Sequence, residues 1–383
     1  MTMKEAINKV IKGQNLTLEE AKEVMGLMLG GEATQAQLGS FLTALRMKGE
    51  TIDEIIGCAT VMQEKAEHVH PNVSVPYVDL VGTGGDGTNT FNISTTSAFV
   101  AAGAGVPITK HGNRAISSKS GAADVLECLG VNIMLEPAKV EKSVEEVGIG
   151  FMFAQTFNKS MKNVGQARKE MGTRTIFNIL GPVSNPSNAT AAVIGVFSPT
   201  LTEPLAHSMK AMGVKRGMIV CGCDGMDEIT LTGTTHVSEI KDDSVTSYDI
   251  NPADYGLSIT DAEQLKGGNG EENAETTKAI LAGKETGAKR DIVLLNAGAA
   301  IYCAGIADTL VEGARDLASG SGKLANGVNE LSDGSDKLID GISQLKDGSK
   351  ELKDGMIEYN DEAISKLTDM DTDELQEVID RMK

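Results

Sequence analysis

The 383-residue chain has no apolar stretch long enough to cross a bilayer: its longest, Ser97 to Ile108, is rich in Ala and Gly and falls well short of the roughly 20 residues a spanning helix needs. The opening MTMKEAINKVIKG patterns as an amphipathic helix, without the apolar core and small-residue cleavage site of a secretory signal. A cytoplasmic protein is the expectation. Cysteine is sparse, odd in number and scattered (Cys58, Cys128, Cys221, Cys223 and Cys303), which suits reduced thiols better than a disulfide framework. Cys221-Gly222-Cys223 has no second pair of ligands near it, so it reads as the end of a strand rather than a metal knuckle. Positive charge is also short. Lys and Arg number 35 against 54 Asp and Glu, for a net charge of -19, which argues against a nucleic-acid surface as the chain's main business. Any anionic ligand needs a local positive site.

What is present begins with helices. A chain of 383 residues with 40% hydrophobic content is long enough for two domains. MKEAINKVIKG, TLEEAKEVMGLMLGG, TQAQLGSFLTALRMKG and TIDEIIGCATVMQEKAE place apolar residues three and four apart. Thr17, Thr34 and Thr51 stand as N-caps, and three of the segments stop at Gly. Helices joined so closely must pack on one another or on a partner. Residues 1–70 are therefore expected to form a small helical domain whose apolar stripes suit a dimer interface.

Past Pro71 the pattern alternates strand, glycine turn and helix. Strands are expected at Tyr77–Val81, Val106–Lys110, Val131–Met134, Ile149–Phe153, Ala192–Phe197, Met218–Cys221 and Ile292–Leu295. Helices are expected in SGAADVLECLG, EPAKVEKSVEEVG, TEPLAHSMKAMG and ENAETTKAILAG, and HVSEIKDDSVTSYDI alternates like an antiparallel edge pair. This order implies an α/β domain over 71–317 with a mostly parallel central sheet covered on both faces. One more helix, strand and helix after Asn269, including AGAAIYCAGIADTLVEGARDL, would close it. Ligands of such sheets bind outside the carboxyl ends of the strands. From Leu324 the chain repeats every seven residues (LANGVNE, LSDGSDK, LIDGISQ, LKDGSKE, LKDGMIE), and Asp316–Lys383 holds 17 acidic against 8 basic residues. The acidic tail over 318–383 reads as a partly helical solvated appendage or as a self-associating coil.

The chemistry concentrates in YVDLVGTGGDGTNTFNISTTSAFVAAGAGVPITKHGNR, Tyr77 to Arg114. Glycines followed by a hydroxyl-rich helix start make an anion site, because free N–H groups and the helix dipole favour negative charge. Gly82-x-Gly84-x-x-Gly87 matches a dinucleotide fingerprint. Asp86 inside the loop would repel a pyrophosphate unless a cation intervened, and no acidic residue ends the next strand to hold a ribose. The Gly-Lys-Ser/Thr of a P-loop is also missing. A phosphorylated sugar carrying a pyrophosphate fits better: the N–H groups of Gly84 and Gly85 and the hydroxyls of Thr90, Ser94 and Thr95 suit phosphate oxygens, and Lys110 supplies charge. Asp227 and Glu228 are either Mg2+ ligands or an ordinary acidic turn.

GTGGD, the NIST helix start, KHGNR, SGAADVLE, ARKEMGTRTIFNILGPVSNP and the Asp227-Glu228 pair, in this order over Met1 to Leu317, resemble the anthranilate phosphoribosyltransferases. The resemblance implies a nucleoside-phosphorylase-like phosphoribosyltransferase fold, usually a homodimer through the helical domain, acting in tryptophan biosynthesis. It implies that 5-phosphoribosyl 1-diphosphate meets Gly82, Gly85, Asp86, Thr90, Asn92, Ile93, Ser94, Thr95, Lys110, His111, Gly112, Asn113, Arg114, Ala115, Ile116, Ser117, Ser118 and Ala122. Anthranilate would meet Gly82, Asn113 and Arg168, and Mg2+ would be held by Ser94, Asp227 and Glu228. Lys110 is the expected electrostatic contributor, His111 shapes the acceptor pocket, and no covalent nucleophile is assigned. Neither a nucleic-acid nor a membrane partner is implied.

The chain departs from the family pattern in three places. Asn158-Lys159-Ser160-Met161-Lys162 replaces the common His-Pro-Ala-Met-Lys, Ala122 replaces a frequent Ser, and the Leu-x-x-Gly heptads resemble repeats of large bacterial surface and membrane proteins. Pyrimidine nucleoside phosphorylase, which shares the architecture, and a non-catalytic scaffold for the tail are the alternatives.

Overall fold

Four threonines set the first four helices: α1 (Met3–Ile11), α2 (Leu18–Gly30), α3 (Gln35–Lys48) and α4 (Ile52–Glu64). Thr2, Thr17, Thr34 and Thr51 each accept from the backbone N–H three residues on, while Glu5, Glu20, Gln37 or Glu54 reaches back to the threonine N–H. Such boxes satisfy donors a helix start would otherwise leave bare. The computed structural model describes residues 1–115, 119–314 and 372–382, with isolated positions between 350 and 365. It separates into two compact units, Met1–Ala325 and Asn326–Lys383.

In the first unit the helical domain is followed by an α/β domain around seven strands: β1 (Val78–Gly82), β2 (Ile108–Gly112), β3 (Ile149–Phe153), β4 (Ala191–Gly195), β5 (Arg216–Gly222), β6 (Thr235–Lys241) and β7 (Ser244–Ile250). Their order is β3-β2-β1-β4-β5-β6-β7. The first five are parallel, and β6 and β7 close the far edge as an antiparallel pair. After β1 the chain builds outward through β2 and β3, then returns to the other flank of β1 with β4. That reversal opens a crevice at the carboxyl ends of β1 and β4.

Successive residues of each strand feed opposite cores. Val78, Leu80, Val193, Met218 and Val220 pack with α5 (Ile93–Gly103) and a long late helix, Ala288–Cys303. Ala192, Ile194, Ile219 and Cys221 face the other way, into a core shared with all four leading helices. That second face also holds three later helices. After α6 (Ala122–Cys128), α7 (Pro137–Val147) and α8 (Ala154–Phe157), these are α9 (Lys162–Met171), α10 (Phe177–Val183) and α11 (Thr202–Ala211), and α12 (Gly270–Leu281) and α13 (Ala288–Cys303) follow, with helical residues again at 310–314.

Two expected strands are absent. Val131–Met134 is a turn in which the Asn132 carboxamide accepts the Met134 N–H at 3.0 Å and Met134 is exposed, the habit of a short polar side chain that competes with a ladder. Ile292–Leu295 lies inside α13, which is buried continuously from Ile292 to Cys303. A helix buried all round loses the polar face that marks its period, so its apolar run imitates a strand. β2 also starts two residues later than expected, because Pro107 has no N–H and only its carbonyl joins β1, accepting from Val78 at 2.8 Å. The Leu-x-x-Gly heptads lie outside the described residues except at isolated positions. In the second unit a helix spans Thr372–Met382.

Candidate active site

The crevice floor is made of backbone. Gly82 and Gly195 pair across β1 and β4, and a Cβ on either would strike Asp227, its carboxylate at Gly82 and its main-chain carbonyl at Gly195. Only hydrogen fits, so the β5–β6 connection can lay Asp227 and Glu228 over the switch point. The Gly84 N–H donates to Asp227 Oδ2 at 2.6 Å, and the Ser94 N–H, at the start of α5, donates to Glu228 Oε1 at 3.1 Å. The distant acidic pair and the glycine stretch therefore form one site.

The loop after β1 carries Gly84 and Gly85 at φ +71° and Gly87 at +81°. Thr88 donates to Asp86 through both its N–H, at 3.3 Å, and its hydroxyl. Among the described residues no protein acceptor takes the N–H of Gly85, Asp86 or Gly87. Such a run of free donors is an anion nest. Lys110 rises beneath it from β2, 2% exposed, donating to the Leu80 carbonyl at 2.5 Å and to Ser94 Oγ at 3.3 Å. Burial pulls the Lys110 ammonium down from its ordinary range, and Asp79, Glu228 and Asp227 pull it back up. Burial pushes the Asp227 carboxyl up, helped by the charge of Asp86, and pushes Glu228 up, helped by Asp227.

His111 follows on β2 and is 5% exposed. Its Nδ1 lies 3.3 Å from the Gly181 carbonyl, which can only accept, so Nδ1 carries the proton and Nε2 accepts from Asn158 Nδ2 at 3.2 Å. Burial drives this imidazole down to about 4. A ring held neutral with both nitrogens engaged is not poised as a base. Asn158, the departure from the family pattern, supplies the second bond.

Asn92, Asn113 and Arg114 are partly engaged by the protein itself. The Asn92 amide binds the Ser120 carbonyl and hydroxyl, both at 3.2 Å, and Asn273 at 2.9 Å, tying the start of α5 to the loop after β2. The Arg114 guanidinium pairs with Asp124 and, through both nitrogens, with Glu127, while its N–H meets Asn113 Oδ1 at 2.8 Å. Asp124 Oδ2 accepts the N–H groups of Ala115 and Gly121, at 2.9 and 2.8 Å, and so closes that loop. Ile116, Ser117 and Ser118 lie outside the described residues. Gly112 ends β2, Ala122 opens α6, Ile93 and Thr95 lie buried in the first turn of α5 with Ile93 in the core beside Val78 and Leu80, and Thr90 is bridged to Lys266.

Arg168 projects from α9 with its guanidinium 5.1 Å from the Phe177 ring centre. No carboxylate pairs with it among the described residues, and burial lowers its pKa.

Two residues of the site escaped the sequence reading. Asp79, 1% exposed in β1, accepts the His111 N–H at 3.4 Å, leaves Oδ2 without a partner, and is pushed up to about 6 by burial. An acidic residue inside the apolar run VDLV was its only signal. Arg174 lies between α9 and α10, donates to the Gly85 carbonyl and stacks on Phe197 at 4.0 Å. It sits inside ARKEMGTRTIFNILGPVSNP, but that motif pointed to Arg168 and gave Arg174 no role.

Comparison with known proteins follows this geometry. Residues 4–66 match the model of a glycosyl transferase family helical bundle domain, and residues 74–325 that of the same family's a/b domain. The anthranilate phosphoribosyltransferase of Acetivibrio thermocellus is 54% identical over 311 residues, covering 81% of this chain and 90% of that protein. The crystal structure of anthranilate phosphoribosyltransferase from Thermus thermophilus is 42% identical and superposes with a TM-score of 0.78 over 85% of this chain and 96% of that one. Anthranilate phosphoribosyltransferase from Saccharomyces cerevisiae in complex with PRPP and Mg is 28% identical, with a TM-score of 0.78 over 86% of this chain and 96% of that one. Among the described residues no helix is long and apolar enough to cross a membrane.

Proposed function

Since this chain belongs to the anthranilate phosphoribosyltransferase family, we propose that it transfers the 5-phosphoribosyl group of 5-phosphoribosyl 1-diphosphate to the amino nitrogen of anthranilate, releasing diphosphate, in tryptophan biosynthesis. The observation that carries the reading is the switch-point crevice, where free loop N–H groups and buried Lys110 face the carboxylates of Asp227 and Glu228. Donors suit the diphosphate. The carboxylates would repel it.

That conflict is a test of fit for Mg2+. Asp86, Asp227 and Glu228 outnumber the single buried ammonium of Lys110, and burial already disfavours the charged forms of Asp227 and Glu228, so the donor set suits a divalent cation with oxygen ligands. Ser94, Asp227 and Glu228 would hold it, and when bound it would neutralise charge on the diphosphate. Lys110 and the loop N–H groups then stabilise the negative charge that grows as the bond to the ribose C1 breaks. The Arg168 guanidinium pairs with the anthranilate carboxylate and turns the amine toward C1. An aniline nitrogen is neutral at pH 7, so the chain needs no strong base, and neutral His111 only bounds the acceptor. Catalysis comes from positioning and electrostatics.

Residues 1–70 serve as the helical domain and 71–317 as the catalytic domain. A homodimer through the helical domain, whose exposed apolar side chains include Ile11 and Met47, belongs to the same reading. The cytoplasm is the compartment this reading assigns.

The test is loss of anthranilate fluorescence on mixing with 5-phosphoribosyl 1-diphosphate and Mg2+, and arrest of that loss by a chelator. Phosphorolysis of thymidine, with anthranilate left untouched, would overturn the assignment.

A further inference from the structure

Arg174 joins three parts of the first unit. Its guanidinium covers Phe197, just beyond β4, and donates to the Gly85 carbonyl in the loop after β1. Its own main-chain carbonyl accepts from Arg46 Nη1, on α3 of the helical domain. The β1 and β4 loops are already neighbours, since the Thr83 N–H donates to the Gly195 carbonyl at 2.9 Å. Arg174 lies across both.

The carbonyl it holds has a consequence for the next N–H. A trans peptide is planar, so its C=O and N–H point in opposite directions. With the Gly85 carbonyl fastened to Arg174, the Asp86 N–H is fixed on the far side, where it has no protein acceptor among the described residues. Gly85 stands at φ +71°, between further glycines whose freedom would otherwise let this peptide turn over. An anion-binding loop gains from having that choice made beforehand.

We propose that Arg174 is a positioning residue: it holds the Gly85–Asp86 peptide with its N–H presented to the diphosphate, and through Arg46 it ties the loop to the helical domain. The inference rests on the reading of this crevice as the phosphoribosyl diphosphate site. It adds a residue outside the ligand contacts assigned above and a mechanical link between the two domains.

The experiment uses the full chain and the variants Arg174→Ala, Arg174→Lys and Arg46→Ala. Calorimetry measures binding of 5-phosphoribosyl 1-diphosphate with Mg2+ in the absence of anthranilate, and steady-state kinetics give both KM values. Arg174→Ala should weaken diphosphate binding and raise its KM on the order of tenfold, the scale of one lost charge-assisted orientation, with the KM for anthranilate little changed. Arg174→Lys should recover part of the loss, since an ammonium reaches a carbonyl but stacks less well. Arg46→Ala should move the same constant in the same direction by a smaller factor. A purely structural role would lower the folded fraction and leave the binding constant of the folded protein alone. Unchanged diphosphate binding in Arg174→Ala, or a rise confined to anthranilate, overturns the proposal; if Arg174→Ala does not fold, Arg174→Gln gives the same comparison. A wild-type chain that binds the diphosphate without consuming anthranilate would refute the function and leave this inference standing, whereas one that does not bind it refutes both.

Discussion

Arg168 holds a cation against the Phe177 ring with no carboxylate beside it among the described residues, and the proposed function gives it the anthranilate carboxylate as partner. Arg168→Ala should raise the KM for anthranilate far more than that for the sugar diphosphate, because it removes a charge-assisted pair made to the acceptor alone. Equal losses for both substrates in steady-state kinetics would contradict the role. Asp79 and His111 pull stability in opposite directions with pH. Asp79, raised to about 6 from an ordinary value near 4, gives stability that is present at low pH and lost as pH rises through about 6. His111, lowered to about 4, gives stability that is present above its ordinary value near 6.5 and lost as pH falls through about 4. Asp79→Asn removes the first and leaves the second, so its melting temperature should fall more steeply than wild type between pH 7 and 4 by circular dichroism. Parallel curves would refute the assignment. Lys110 was legible as a charge at the end of the strand after the glycine loop, whereas the residues alone left Asp227-Glu228 open between Mg2+ ligands and an acidic turn, and only the family resemblance joined it to that loop. Asp79 and Arg174 were not legible, since what they do is hold main chain, and that depends on partners from other elements.

At the scale of elements, the leading helices show how far local rules reach. Thr17, Thr34 and Thr51 announced their starts, and each start is a capping box. Glu54 does more than cap. Its carboxylate, 1% exposed, accepts the N–H groups of Leu16 and Thr51, at 2.9 and 2.8 Å, and pairs with the buried ammonium of Lys48 at 2.9 Å. Glu54→Ala would strand that charge and two donors, at a cost of about 3–5 kcal/mol, read by urea denaturation; a loss below about 1 kcal/mol would mean the site relaxes or fills with water. The strand misread at Ile292–Leu295 marks the opposite limit. Caps are written within a few residues, whereas burial on every side of α13 comes from α5 and the sheet. There Ser97 donates to the Val293 carbonyl at 3.2 Å.

At the scale of the whole molecule, the alternation of strands and helices foretold a parallel sheet, but not that the chain reverses beside β1. That reversal places the site, and it follows from which strands pair, a long-range choice that local pattern does not encode. The first unit, Met1–Ala325, holds every site residue named above, so a chain ending at Ala325 should keep the kcat and both KM values of the full chain in the anthranilate assay. A lost or altered kcat would show that the tail acts on catalysis. The backbone floor at Gly82 and Gly195 also limits how such an enzyme can diversify. Because no side chain can be added there without displacing Asp227, neither of these two positions is open to incremental mutation. On the proposed function, new acceptor preferences would instead be written at positions such as Asn158 and Arg168, where one residue can be exchanged for another while the shared chemistry stays fixed.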